Sequence, residues 1–258
     1  QSNAKYASLV IDAKTGELLH AVNENTRNYP ASLTKLMTLY LLFEAIEQKK
    51  VGLSSRLVVS RKAANRPASK LGLKSGELIK VSDAIMAIII KSANDVASVI
   101  AESIGGSERR FALQMTAKAR KLGMSRTTFR NASGLPHRGQ MSTAKDMAVL
   151  TRAIISHFPK YYHLFSRKIF TFKGRTYRTH NKVLKTYKGA EGMKTGYIHA
   201  SGYNLITTAK RNGKRIIGVV FGSNTSRARN RHMKKLLNRA FRAGKFSKTA
   251  RVAKASNN

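Results

Sequence analysis

The 258 residues carry 49 Lys and Arg against 12 Asp and Glu, a net charge of +37, and 42% of them are hydrophobic, enough for the core of one large domain or two small ones. The absence of cysteine excludes disulfides, thiolate catalysis and cysteine-ligated zinc. So large a cationic excess predicts a polyanionic partner, but the basic residues run along the whole chain without zinc-finger spacing, an aromatic RNA-binding signature or a basic-region heptad; that distribution argues against nucleic acid and for a solvated surface suited to an anionic cell-envelope polymer.

Gln1–Ala4 resemble the scar of a protease-cleaved expression tag and are set aside. Tyr6 to Asp12 and Glu17 to Val22, joined through Gly16, read as a β-hairpin. A loop then leads into Ser32-Leu33-Thr34-Lys35, after which Leu36, Met37, Leu39, Tyr40, Leu41, Leu42 and Phe43 follow almost without a polar break, so the helix they form is expected to be buried on most sides. Three residues apart on a helix, Ser32 and Lys35 share a face about one turn apart, which lets an amine reach a hydroxyl. Leu53 to Lys80 loses regularity: Leu57-Val58-Val59 suits a short strand, while Arg66-Pro67 and Gly72 to Gly76 break the pattern, and the stretch reads as surface. Val81-Ser82-Asp83 caps a helix over Ala84 to Ile90, a second helix covers Asp95 to Ile104, and Ser92-Ala93-Asn94 sits between them. The aliphatic run Ile85 to Ile90 is far short of the roughly twenty residues that a membrane span needs.

Gly105-Gly106-Ser107 opens a helix to about Leu122, Phe129 to Met141 is a loop, and Thr143 to Phe158 is a helix whose N-cap is expected at Ser142. Ile169 to Arg178, turning at Lys173-Gly174, suits a small hairpin. Met193 to His199, Tyr203 to Ala209 and Arg215 to Phe221 predict an antiparallel meander, Arg227 to Arg242 a final helix, and residues 244–258 a loose basic tail. Strands at both ends with helices between them predict an α+β fold: one antiparallel sheet from the N- and C-terminal segments, with a largely helical region over about residues 53–190 inserted in a catalytic domain of residues 5–243.

Single motifs carry little weight in this chain. Ser-x-x-Lys begins at Ser2, Ser32 and Ser142, and Lys-[Ser/Thr]-Gly at Lys14, Lys74 and Lys194. Only Lys194-Thr195-Gly196 falls in a predicted strand, where Lys194 and Gly196 share one face and glycine permits close approach to the backbone. The ordered conjunction Ser32-x-x-Lys35, Ser92-Ala93-Asn94 and Lys194-Thr195-Gly196 resembles the signature of penicillin-binding proteins and serine β-lactamases. Together with Asn131-Ala132-Ser133-Gly134-Leu135-Pro136, Gly192 to Tyr197 and Ser201-Gly202-Tyr203-Asn204-Leu205, it is similar to the low-molecular-mass D-alanyl-D-alanine carboxypeptidases over roughly residues 5–244.

That resemblance implies Ser32 as the acylated nucleophile, Lys35 as its base, Ser92 as a proton relay and Asn94 as a hydrogen-bond partner of lysine and substrate. It also implies an oxyanion site at the Ser32 and Tyr197 N–H groups, with Lys194, Thr195, Gly196 and an arginine of the last helix binding substrate. Arg229 aligns best for that arginine, with Arg227 and Arg231 as competitors. The implied ligands are a peptidoglycan stem peptide ending in D-Ala-D-Ala and β-lactams; the implied location is periplasmic or otherwise extracytoplasmic, after loss of an export signal. A second β-rich domain and an amphipathic membrane anchor, frequent in such enzymes, are not read in this chain. No glutamate lies between Glu108 and Glu191, where class A β-lactamases carry their deacylating carboxylate, so rapid β-lactam turnover is not expected. His137, His180 and His199 lack metal-ligand spacing, and neither a metal nor another cofactor is assigned. The alternatives are a DD-endopeptidase, a transpeptidase, a slow β-lactamase of the same fold, or a non-catalytic polyanion-binding protein.

Overall fold

Apolar residues on every side of a helix require burial on every side, and helix α1 (Lys35–Glu47) is accordingly the centre of the core: Leu36, Met37, Leu39, Leu42 and Phe43 are fully buried. The structure is a computed structural model that describes the backbone of residues 5–255 and the side chains of residues 5–243; the proposed tag scar lies outside the described residues. Strands β1 (Ala7–Asp12) and β2 (Leu18–Val22) form the first hairpin, and a single 3₁₀ turn, Ala31–Thr34, leads into α1. The helical region contains β3 (Arg56–Val58), α2 (Arg61–Ala64), β4 (Leu78–Lys80), α3 (Val81–Met86), a π-helical turn at Ala87–Lys91, α4 (Asn94–Gly105), α5 (Glu108–Leu122), α6 (Ala144–His157) and α7 (Pro159–Tyr162). Hairpin β5 (Ile169–Phe172)–β6 (Arg175–Arg178) and α8 (Lys182–Thr186) return the chain to β7 (Ala190–Ile198), β8 (Gly202–Arg211), β9 (Lys214–Ser223) and α9 (Ser226–Ala255).

The main sheet is antiparallel throughout in the order β2-β1-β9-β8-β7, so the two chain ends close it as expected. The central strand β9 reads as a continuous apolar run because both of its faces are covered. Ile217, Val219 and Phe221 belong to the core around α1, whereas Ile216 and Val220 pack with Met233, Leu236 and Leu237 of α9. Gly218 lets α9 approach: a Cβ there would stand 2.6 Å from Met233 Sδ. β7 is an edge strand, and it packs against the Ala31–Thr34 turn.

Three expectations are corrected. The stretch read as irregular surface contains a second small sheet, β3 paired with β4 through Leu57 and Ile79, both buried. The cap of α6 is Thr143, whose hydroxyl accepts from the Asp146 N–H, while Ser142 is buried one residue earlier against Thr127 Oγ1 at 2.9 Å. The last helix does not stop near Arg242; its backbone continues through the expected loose tail to Ala255.

Candidate active site

Ser32 stands on the 3₁₀ turn and Lys35 is the first residue of α1, so the axis of this buried helix begins at Ser32 and Lys35. Asn204 of β8 fixes the approach to the turn, donating from Nδ2 to the Tyr29 carbonyl at 3.2 Å and accepting the Gly222 N–H at 3.0 Å. Lys35 is wholly buried, and its Nζ lies 2.9 Å from Ser32 Oγ, 2.8 Å from Asn94 Oδ1 and 2.7 Å from the Ser133 carbonyl. Asn94 Nδ2 donates to the Pro67 carbonyl at 2.9 Å, which fixes Oδ1 as the atom facing the lysine. Two of the three partners can therefore only accept. A neutral amine has two hydrogens and one lone pair; Asn94 and Ser133 take the hydrogens, which leaves the lone pair for the hydroxyl hydrogen of Ser32. Burial holds Lys35 well below the ordinary lysine range, and the nearby Lys194 cation pushes the same way.

Ser92 arrives by a different local device. The π-helical turn Ala87–Lys91 ends α3, and Ser92 follows in the left-handed region at φ 55°, ψ 44°, a conformation that costs a non-glycine residue about 1–2 kcal/mol. The strain presents its hydroxyl to Lys194, whose Nζ donates to Ser92 Oγ at 3.0 Å and to the Thr195 carbonyl at 2.9 Å. Burial first, and the Arg229 guanidinium second, bring the Lys194 amine down to about 7. Arg229 is 5% exposed, lies over the Tyr203 ring and donates to the Asn204 carbonyl, whereas Arg227 and Arg231 are exposed on the other side of α9. Thr195 lines a small recess of about 60 Å³ with Ser92, Lys194 and His180. Tyr197 is 48% exposed and stacks on Tyr203 with ring centroids 4.2 Å apart.

Gly196 has a role that the strand pattern alone left incomplete. A Cβ there would stand 3.1 Å from the Ser32 amide nitrogen and 3.2 Å from that of Leu33, so glycine brings β7 against the turn that carries Ser32. The Ser32 amide thus lies close against Gly196, one residue before Tyr197. The site also depends on residues to which sequence reasoning assigned no chemistry. The Ala132 carbonyl accepts from Thr38 Oγ1 at 2.7 Å, next to the Ser133 carbonyl on Lys35, and Gly134 packs directly on Ala31. Behind this loop the buried Glu108 carboxylate accepts from Ala132 N–H, Ser98 Oγ and Arg66. No carboxylate is hydrogen-bonded to Ser32, Lys35, Ser92 or Lys194 among the described residues, nor do three metal-ligating side chains gather anywhere among them.

Asp95 anchors the opposite wall. Fully buried, it accepts the N–H groups of Leu71, Gly72 and Leu73 at 2.9–3.1 Å as well as that of Val96, while the neighbouring Asn94 N–H donates to the Ser69 carbonyl at 2.7 Å. An amide in its place would turn an NH2 toward N–H donors. Asp95→Asn is expected to lower stability by about 2–3 kcal/mol, read as a shift in the urea midpoint at unchanged slope; an unshifted midpoint would show that solvent replaces these bonds at no cost.

Comparison with known proteins places this geometry in one family. The peptidase S11 model, described as D-alanyl-D-alanine carboxypeptidase, matches residues 1–225. D-alanyl-D-alanine carboxypeptidase DacF of Bacillus subtilis is 36% identical over 240 residues, covering 91% of this chain and 61% of that protein. DacC of Escherichia coli is 36% identical over 92% of this chain and 61% of its own length, so the chain spans about three fifths of these curated relatives. Among solved structures, DacD from Francisella tularensis superimposes with a TM-score of 0.88 at 30% identity, covering 91% of this chain and 70% of that one. Penicillin-binding protein D2 from Listeria monocytogenes, in its ampicillin-bound form, gives 0.84 at 33% identity over 93% of this chain and 98% of that one. The family model and relatives matched over this length make the chain a member of the peptidase S11 family of D-alanyl-D-alanine carboxypeptidases.

Proposed function

We propose that the protein is a serine-type D-alanyl-D-alanine carboxypeptidase that removes the terminal D-Ala from peptidoglycan stem peptides through an ester on Ser32, and that β-lactams acylate the same serine. The observation that carries the reading is the hydrogen-bond set of Lys35, which leaves one lone pair and aims it at Ser32. Ser32 Oγ attacks the carbonyl carbon of the penultimate D-Ala while its proton passes to Lys35 Nζ. The Ser32 and Tyr197 N–H groups receive the oxyanion, and Lys194, Thr195 and Arg229 face the terminal carboxylate. As the C–N bond breaks, the leaving amine takes a proton from the Ser92 hydroxyl, which Lys194 replenishes. Water then attacks the ester, its proton passing through Ser92 to the now neutral Lys194 amine, while Lys35 returns its proton to Ser32 Oγ; the shortened peptide leaves with Ser32 and both lysines restored.

The reading extends to β-lactams with support from penicillin-binding protein D2 of Listeria monocytogenes, solved with ampicillin and with cefotaxime bound. Deacylation of the drug adduct is slow in this reading, because no carboxylate touches the catalytic lysine or serine among the described residues. In this reading the protein acts outside the cytoplasm, where peptidoglycan lies, and its net charge of +37 supports an anionic envelope polymer as a partner. Among the described residues no helix is long and apolar enough to cross a membrane.

The test is chemical. A peptide ending in D-Ala-D-Ala is expected to release free D-alanine, faster than a crosslinked stem-peptide dimer is cut, and benzylpenicillin is expected to abolish the release with one adduct per chain. Preferential cleavage of the dimer would reassign the enzyme as a DD-endopeptidase, and strand joining without D-alanine release to water would reassign it as a transpeptidase.

A further inference from the structure

We propose that the groove between α8 and α9 is a binding site for a linear polymer of phosphodiester charges that carries no bases, separate from the catalytic cleft. Lys182 projects from α8, and Arg227, Arg231, Lys234 and Lys235 from α9, around a concavity of about 640 Å³. The α9 residues recur at helical spacing and so form one stripe, which Lys182 faces from across the groove. Lys234 Nζ donates to Thr186 Oγ1 at 2.7 Å and ties the two walls together.

Three features select the ligand. The first is uncompensated charge: no Asp or Glu follows Glu191 in the chain, and none of the ion pairs among the described residues involves a groove cation. Arginine forks alongside lysines suit tetrahedral phosphate oxygens. The second is shape, since a concave trough between two helices fits an extended chain rather than a flat lipid surface. The third is the lack of any aromatic side chain in the lining, which leaves nothing on which bases could stack. Arg229 lies between Arg227 and Arg231 in sequence but turns inward to the Lys194 side, so one helical turn serves the cleft on one face and the groove on the other. A polymer held here would tether the enzyme without entering the cleft.

Fluorescence-anisotropy titration of end-labelled synthetic poly(glycerol phosphate), a phosphodiester chain without bases, onto the full chain, at about 150 mM salt where diffuse charge is screened beyond about 8 Å, tests the site. The variant K182Q/K234Q/K235Q is compared with K49Q/K62Q/K80Q, which removes the same charge from exposed positions elsewhere. The groove variant is expected to bind about tenfold or more weakly, the control within about twofold of wild type, and both are expected to be acylated by benzylpenicillin like wild type. Equal losses in the two variants, or no binding by wild type, would overturn the groove. Tighter binding of an oligothymidylate of matched charge, lost in the same variant, would replace the proposal with a nucleic-acid surface. Acylation is read in the same samples, so failure of the catalytic reading is distinguished from failure of the groove.

Discussion

Lys35→Met is expected to slow acylation by benzylpenicillin by about three to four orders of magnitude, the upper range for loss of a positioned general base. Ser32→Ala, by contrast, is expected to give no covalent adduct at all. Methionine keeps most of the length of the side chain in a wholly buried position but offers no lone pair basic enough to take the serine proton. Intact-mass spectrometry over a time course separates the two variants: a slow single adduct in the first, none in the second. A Lys35→Met enzyme that acylates at the wild-type rate would leave Ser32 to be activated by another group.

The sign of the pH dependence follows from the two coupled amines. Only neutral Lys35 can accept the Ser32 proton, and burial holds it well below the ordinary lysine value, so the acylation rate constant rises as pH climbs through that depressed value. Lys194 must stay charged to face a carboxylate, and in the free enzyme it discharges at about 7. A bell is therefore expected for the second-order rate constant, its falling limb near neutrality. Lys194→Arg, which keeps its charge, is expected to remove that falling limb even if the longer, planar fork lowers the plateau. A falling limb that persists in Lys194→Arg would assign it to a different group.

The parts of this site that were legible in the sequence are those whose chemistry is intrinsic to the residue. Ser32, Lys35 and Lys194 announce a nucleophile and two amines, and the apolar run after Lys35 announces the burial that depresses its proton affinity. The hairpins and the meander were legible because their runs are punctuated by Gly16, Lys173-Gly174 and Asn212-Gly213, all of which lie at positive φ. β4 was not, since in Leu78-Ile79-Lys80 only the middle residue is buried and three residues carry no period. The cap of α6 was misplaced by one residue because Ser142 and Thr143 are equally good caps locally; burial of Ser142 against Thr127 decided between them. Gly134 and Asp95 were silent for a related reason: their work is done on backbone groups from distant segments, Ala31 in one case and Leu71–Leu73 in the other.

Gly134→Ala is expected to be the most damaging substitution outside the reacting groups. Gly134 has φ +88°, and a Cβ on it would fall 1.8 Å from the Ala31 carbonyl oxygen, 2.3 Å from its carbon and 2.9 Å from the Ser32 amide nitrogen. These are backbone atoms, so no rotamer relieves the overlap; either the Ala31–Thr34 turn or the loop at Asn131–Gly134 must move. Movement of the turn displaces the Ser32 hydroxyl and amide, and movement of the loop withdraws the Ser133 carbonyl from Lys35. A displacement of about 1 Å costs on the order of a hundredfold in rate, and overpacking with left-handed strain costs about 3 kcal/mol or more in stability. Gly174→Ala provides the contrast, because Gly174 has φ +77° but nothing within 4 Å of the added carbon. It is expected to lose only about 1–2 kcal/mol and to acylate at the wild-type rate. Urea denaturation and adduct kinetics on both variants separate strain at the residue from contact with the nucleophile's turn. If Gly134→Ala behaves like Gly174→Ala in both measurements, the turn that carries Ser32 yields freely, and its rigidity is not what aligns the serine with Lys35.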